Sequence, residues 1–512
     1  MWTNGIRRWD GGKEFGGLLL FGLLAMTARN AVDPDLWWHL RAGQWIVENG
    51  RIPHVDTFSF TRAGHAWIAH EWLSEVIFYQ LWKHGGPIAL IIFSAVVTSA
   101  GFMVLYLRCP GKRSLAAAAT AIGALAAAPC WGVRPQMFTF ACASLLLWLI
   151  WRGESRPALL LWIPPLFLLW LNLHGGFALA LALLVAYGAG LLVEAALGTT
   201  PWRQARPILT RVLLLFLACV ALVPLNPSGA RLYRYPFDTV RSPTMRSFIV
   251  EWFSPNFHEA LYLPFLVLCL LLLTAFASGR AKPKARVLVP VLFTLLAALD
   301  AVRHIPIFVL TAIPVLAGAL PVRSGWREGF LRRAQSRPRL FFPAAIVTLM
   351  LIFVVVRWTI LGRHQSALEA KEFPQKAVSF LRENQQPQRI FVYYDWGGYA
   401  IWKLYPEYRV FADGRADLYG DHLLESIRTL VQLRSGWQEI IQRWQIETVL
   451  IPPNCALAQA LPLEPDWHVI FSDSKAILLV KGKNSVETPQ SLVILPPKSE
   501  KMFPRDEPNL RN

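Results

Sequence analysis

Charge is scarce in this 512-residue chain: Asp, Glu, Lys and Arg make up 16% of it, against 54% hydrophobic residues. A soluble domain carries roughly a quarter charged residues, so an ordinary soluble protein is excluded and a polytopic membrane protein is implied. Cysteine is sparse as well. None of the six forms a C-x-x-C pair, which excludes a zinc ribbon, a dithiol redox pair and a disulfide framework. There is no internal repeat of the kind that builds many transporters. His70-Glu71 lacks the second histidine of an H-E-x-x-H metalloprotease helix, because Ser74 stands there. Acids are the rarer charge, 33 against 51 Lys and Arg. The basic excess lies in short linkers between apolar runs, where cytoplasmic retention explains it, so nucleic acid is excluded as a partner.

What the chain does hold is apolar sequence and 22 Trp, as interfacial aromatic belts require. A first run, Phe15–Met26, follows Arg7, Arg8 and Lys13 and reads as an uncleaved span. Ten more follow: Pro87–Leu107, Leu115–Cys130, Met137–Trp151, Ala158–Leu173, Phe177–Leu197, Ile208–Val223, Leu261–Ala277, Val287–Leu299, Ile305–Leu320 and Phe341–Leu361. Alternate linkers are rich in Lys and Arg, the last from Arg323 to Arg339. Eleven spans with the N-terminus inside and the C-terminus outside satisfy all of them. Every histidine then falls on the outer side.

Two outer loops are long. The first, residues 30–86, contains two amphipathic stretches that suit interfacial helices: Leu36, Leu40, Gly43 and Val47 share one face, and Glu71–Trp82 follows. The second, residues 224–259, is rich in Pro, Gly and Asn and reads as irregular. Residues 1–362 therefore form an all-α membrane domain. Beyond it, residues 373–483 alternate helix and strand as a small extracytoplasmic α/β domain, and 484–512 read as a disordered tail.

The candidate chemistry lies at the outer ends of the spans. Asp33-Pro34-Asp35 and His39 could activate a hydroxyl or hold a metal, although Asp33 before Pro34 also reads as a helix cap. His70 and Glu71 open the second interfacial helix. Arg134, Asn172, His174, Asp300, Arg303 and His304 end different spans, and Arg231 and Arg234 lie in the second loop. Each arginine alone could be an interface anchor. Gathered at one depth, they suit a phosphate whose hydrocarbon tail stays in the bilayer. Asp56 reads as a turn cap. Asp395-Trp-Gly-Gly398 and Asp413-Gly-Arg415 read as tight turns, since no G-x-G-x-x-G follows.

DPDLWWHL, NLHGGF, RHIPIF, DWGGY and DGRAD, on this layout, resemble the GT-C glycosyltransferases, including protein O-mannosyltransferases and the aminoarabinose and RgtA/B/C/D-like transferases of bacterial envelopes. The resemblance implies a polytopic GT-C-like fold, a sugar donor carried on polyprenyl phosphate and a first-loop carboxylate as base. Asp35, which leads through His39 to Gly50 and Pro53, is the first candidate and Asp33 the second. The expected function is inverting transfer to an envelope lipid, glycan or protein on the outer face of a bacterial inner membrane. Arg303, His304, Arg134 and Arg231 would bind the donor phosphate. His39, His70, Glu71, Asn172 and His174 would shape the sugar pocket or hold a divalent cation. The rival is a non-catalytic transporter or scaffold for envelope polysaccharide assembly.

Overall fold

Each apolar run folds into one helix of a bundle. The computed structural model describes residues 12–320 and 341–482. The basic segment 323–339 and the tail beyond residue 484 lie outside the described residues. The membrane helices are α1 (Gly12–Thr27), the second half of α3 (Trp72–Arg108), α4 (Arg113–Ala127), α5 (Gln136–Gly153), α6 (Ile163–Leu173), α7 (Ala178–Ala196) and α8 (Trp202–Leu222). They continue with α11 (Leu263–Ala277), α12 (Ala285–Asp300), α13 (Ile305–Ala319) and α14 (Phe341–Glu372). Among the described residues, eight helical segments are long and apolar enough to cross a bilayer, and α1, α6 and α12 are shorter. The chain is thus a multi-pass membrane protein.

The first loop folds back as α2 (Leu36–Asn49), which ends at a left-handed Gly50. It crosses the start of α3 so closely that a Cβ on Gly43 would fall 2.0 Å from the Glu75 carbonyl oxygen. Helix α3 begins inside the loop at Trp72 and breaks at Gly86-Pro87 before entering the bundle. The expected apolar face of α2 is buried at Leu36, Leu40 and Gly43, whereas Val47, in its last turn, is exposed. The second loop, expected to be irregular, holds two short helices, α9 (Tyr235–Arg241) and α10 (Pro243–Phe248). Pro236 and Pro243 read as breakers in the sequence, yet proline fits the first turn of a helix, where its missing N–H leaves no bond unmade.

The C-terminal part holds α15 (Gln375–Glu383), β1 (Arg389–Val392), α16 (Gly397–Leu404), β2 (Arg409–Val410), α17 (Ala416–Val431), α18 (Trp437–Trp444), β3 (Thr448–Ile451), α19 (Ala456–Ala460), β4 (Trp467–Ser472) and β5 (Ile477–Lys481). The sheet order is β2-β1-β3-β5-β4, with β1 parallel to β2 and β3, and β5 antiparallel to β3 and β4. Strand β3 is buried at every residue, as the centre of a covered sheet requires.

This α/β unit is seated on the first loop. Trp37 of α2, fully buried, meets Phe373 at 5.4 Å and Tyr399 at 5.0 Å between ring centres. Ser59 bridges to Val410 at the edge of the sheet. Asp56 caps its own turn through Phe58 N–H and Ser59 N–H, and also pairs with Arg415 at 2.8 Å. At the other end of the bundle, Arg286 joins α12 to α7 through a buried pair with Glu194 at 2.5 Å.

Candidate active site

The α/β unit, α2 and the ends of the membrane helices enclose one cavity with two lobes. Arg134, Gln136, His174, Tyr235, Trp252 and Arg303 line both. One lobe, of about 280 Å³, lies among membrane-helix side chains such as Met137, Phe140, Leu179 and Ile307. The other, of about 400 Å³, is the more polar of the two and is walled in part by Asp35, His39, His70, Asp395 and Asp417. A third hollow, of about 360 Å³ between α9, α10 and α17, shares Tyr235, Thr239, Met245 and Asp417 with the polar lobe.

Asp33 and Asp35 stand where the chain enters α2. Asp33 Oδ1 accepts the Asp35 N–H at 3.0 Å, so Asp33 does serve the turn, while its Oδ2 meets Arg134 Nε at 3.1 Å. Asp35 makes no side-chain cap. Its Oδ2 receives Arg134 at 2.5 Å and its Oδ1 receives the Trp38 indole N–H at 3.2 Å. Arg134 also pairs with Glu251 of the second loop, which Gln136 holds at 3.0 Å. Burial alone would lower the Arg134 pKa, but Asp33 and Asp35 outweigh it and keep the guanidinium above its ordinary range. The sequence grouped Arg134 with the phosphate ligands. In the structure three carboxylates gathered in one wall need a cation, and Arg134 is bound to them while still lining both lobes.

Glu71 is the hub of a second cluster. His70 Nε2 lies 3.1 Å from it, His174 Nε2 3.4 Å and His39 Nε2 3.5 Å. The Ile68 carbonyl can only accept, so His70 Nδ1 donates to it at 3.0 Å. With both ring nitrogens facing acceptors, His70 is an imidazolium. Burial pushes its pKa down, but the Glu71 carboxylate prevails and holds it at about 9. Burial pushes Glu71 up, and its histidine neighbours reverse this and hold it below the usual carboxylate range.

His174 has the opposite state. Its Nδ1 accepts the Gly176 N–H at 2.9 Å and faces Thr139 Oγ1 at 2.7 Å, and that hydroxyl already accepts the Trp170 indole N–H. The proton of a neutral His174 therefore sits on Nε2 and points at Glu71. Burial, opposed by Glu71, lowers its pKa to about 4. An Nε2 that carries a proton is not set to ligate a metal. Among the described residues, no group of three or more His, Cys, Asp or Glu side chains is arranged to hold an ion.

The other candidates divide. Arg303 lines both lobes, stacks over Trp252 at 4.5 Å and pairs with no carboxylate among the described residues. His304 lines the apolar lobe, with Nδ1 donating to the Ala297 carbonyl at 3.1 Å. Asn172 lies outside the cavity lining. It accepts the Trp72 indole N–H at 2.8 Å and the Asn226 amide at 3.2 Å, tying α6 to α3 and to the second loop. Arg231 is likewise absent from the lining: Leu232 buries its turn, and Arg231 faces outward. Asp300 pairs with Arg246 at 2.6 Å away from both lobes.

Sequence reasoning passed over Tyr235, whose ring packs on His70 at 4.1 Å, and Glu251. It assigned Asp395 to a turn. The structure bears that out, with Asp395 in the 3-10 turn Tyr394–Trp396 and Asp413 accepting the Arg415 N–H across its own bend, but Gly397, Gly398 and Gly414 have no positive φ and serve a second purpose. They allow close approach: a Cβ on Gly398 would fall 2.8 Å from the Pro34 carbonyl oxygen, and one on Gly414 would fall 1.9 Å from Asp35 Oδ1.

No protein-family model matches the sequence, and no curated relative matches it. Among solved structures the chain is similar to the oligosaccharyltransferase of Archaeoglobus fulgidus in its apo form, with a TM-score of 0.56 at 11% identity over 88% of this chain and 70% of that one. It is also similar to the Archaeoglobus fulgidus oligosaccharyltransferase AglB in complex with an inhibitory peptide and a dolichol-phosphate. That TM-score is 0.52 at 13% identity, over 86% of this chain and 70% of that one. The chain therefore shares the overall fold of these two structures, in line with the polytopic fold that the sequence resemblance implied.

Proposed function

We propose that the protein transfers a hexosyl or pentosyl group from a polyprenyl-phosphate donor to a hydroxyl of an envelope acceptor, at the outer face of a bacterial inner membrane, with its N-terminus in the cytoplasm. The observation that carries this reading is the cavity, whose apolar and polar lobes meet at Arg303, a cation that pairs with no carboxylate among the described residues. A lipid phosphate needs that combination: a hydrocarbon tail among membrane helices, a cation at the boundary and a polar pocket for the sugar. The fold supports it, since the structure of similar fold from Archaeoglobus fulgidus is a complex with a dolichol-phosphate.

In this reading the donor phosphate rests on Arg303, with His304 beside it, and its tail lies in the apolar lobe. His39, His70, Glu71 and His174 face the sugar. Asp35, with Asp33 beside it, receives the acceptor hydroxyl as it attacks the anomeric carbon from the side opposite the phosphate, which inverts the configuration. Arg303 stabilises the charge that grows on the departing phosphate. Arg134 fixes Asp35 in place.

The test is binding of undecaprenyl phosphate to purified protein in nanodiscs. Arg303→Ala is expected to weaken it by about tenfold or more, the usual worth of a charge-assisted contact. Undecaprenol, which has no phosphate, should bind both forms equally weakly. Equal affinity of the two proteins for undecaprenyl phosphate would remove Arg303 from the donor site. Turnover is then read with radiolabelled polyprenyl-phosphate sugars over an acceptor panel. Donor binding without turnover would return the scaffold reading.

A further inference from the structure

The carboxylates of the polar lobe differ in what surrounds them. Both oxygens of Asp35 are taken, Oδ2 by Arg134 at 2.5 Å and Oδ1 by the Trp38 indole at 3.2 Å, and the Gly414 backbone closes on Oδ1. A carboxylate fixed on a guanidinium can accept a hydroxyl's hydrogen bond. It has no oxygen free of a donor on which to keep the proton. Asp395 lines the same lobe, and among the described residues its carboxylate meets no donor. It is held in place from both sides of its short turn (Tyr394–Trp396). On one side β1 leads into it. On the other, the Trp396 indole donates to the Glu372 carbonyl and Gly398 packs on the Pro34 carbonyl.

We infer that Asp395, from the α/β part of the chain, is the proton acceptor of the transfer, with Asp35 orienting the hydroxyl and passing its proton on. This rests on the reading proposed above. The acceptor O–H bond breaks as its oxygen bonds to the anomeric carbon. The bond from that carbon to the phosphate oxygen breaks, and its electron pair stays with the phosphate. The proton rests on Asp395 and leaves later to cavity water.

The electrostatics agree. Although its side chain is wetted by the cavity, the surrounding protein first, and then the charges of Asp35 and Asp33, push Asp395 up to about 6, against the pull of Arg134. Tyr393 and Tyr394 beside it, Glu251 across the lobe, Asp417 and Arg428 on α17, and His39, His70, Glu71, His174, Tyr235 and Arg303 on the walls from the first loop and the membrane-helix ends are the other titratable and charged groups of the lobe. A base is most effective when its pKa lies near the working pH.

The working form is the carboxylate, so the rate should fall as pH drops through about 6. Asp395→Asn should lower turnover by about 10²-fold or more and abolish that limb, and Asp395→Glu should restore a limb. Infrared titration of the purified protein gives a readout independent of turnover. The protonated-carboxyl band titrating near pH 6 should vanish in Asp395→Asn and move to lower pH in Asp35→Asn, which lacks a negative neighbour. Undecaprenyl phosphate binding by Asp395→Asn shows that the variant is folded. Wild-type turnover with an unchanged pH profile in Asp395→Asn, or an unchanged infrared band, would overturn the role of Asp395 alone. Failure of the wild-type protein to bind undecaprenyl phosphate would overturn the transfer reading, and this inference with it.

Discussion

Exchange of Arg415 for Met is expected to destabilise the seating of the α/β unit by about 3–5 kcal/mol, the cost of leaving buried carboxylates without their cation. Arg415 is 2% exposed. It donates to Asp413 through Nε at 2.8 Å and Nη2 at 2.7 Å, and it meets Asp56 of the first loop at 2.8 Å. The Tyr419 hydroxyl donates to Asp413 at 2.6 Å, and the rings of Phe58 and Trp67 lie 5.1 and 4.6 Å from the guanidinium carbon. Methionine keeps much of the volume and none of the charge. Two carboxylates from different parts of the chain then face one another in a dry site. Hydrogen exchange should show β1 and β2 opening at lower denaturant while the membrane helices stay protected. Changing Asp56 and Asp413 to Asn in the same protein should recover part of the loss, since removal of a whole buried ionic group is tolerated better than removal of one partner. A loss below about 1 kcal/mol in Arg415→Met would mean that the aromatic packing, not the ion pairs, seats the unit.

That network also shows what a single sequence can and cannot reveal. Apolar run length is a local property, and among the described residues each of the eleven apolar runs does form a helix, eight of them in segments long and apolar enough to cross a bilayer. The alternation of β1, α16 and β2 was legible for the same reason. α19 was not, because five residues carry no period. Partnership across the chain left no local trace. Nothing near Arg134 says that its carboxylates are residues 33, 35 and 251, and nothing near Arg415 points to residue 56. Arg231 looked equal to Arg303 in composition, but a buried Leu232 turns Arg231 away, whereas the short turn from Val302 to His304 leaves Arg303 on the cavity wall. The turns of DWGGY and DGRAD were legible, but the surfaces their glycines approach were not. A glycine needed for close approach looks the same in sequence as one needed for a turn.

Asp35→Asn is expected to lower transfer by about 10²–10⁴-fold with little change in stability, the range for loss of a positioned proton-transfer group. Asparagine has nearly the same shape, and its amide oxygen can still accept from Trp38. Helix α2 loses no cap, because Asp35 makes none through its side chain. Arg134 keeps Asp33 and Glu251. Only the charge that draws in the hydroxyl is removed, so kcat should fall while undecaprenyl phosphate affinity, set by Arg303 where the two lobes meet, stays. Gly414→Ala is the steric counterpart. Its methyl carbon would fall 1.9 Å from Asp35 Oδ1 and 3.0 Å from Trp38 Nε1, so Asp35 has to leave Arg134 with its charge intact. Turnover should drop in this variant as well, and a melting curve should separate misplacement of Asp35 from loss of the fold. Full activity in Asp35→Asn would take this carboxylate out of the chemistry. Full activity in Gly414→Ala would mean that the α/β wall does not press on Asp35 in the working enzyme, and that the sugar reacts in a site formed by the membrane helices and first loop alone.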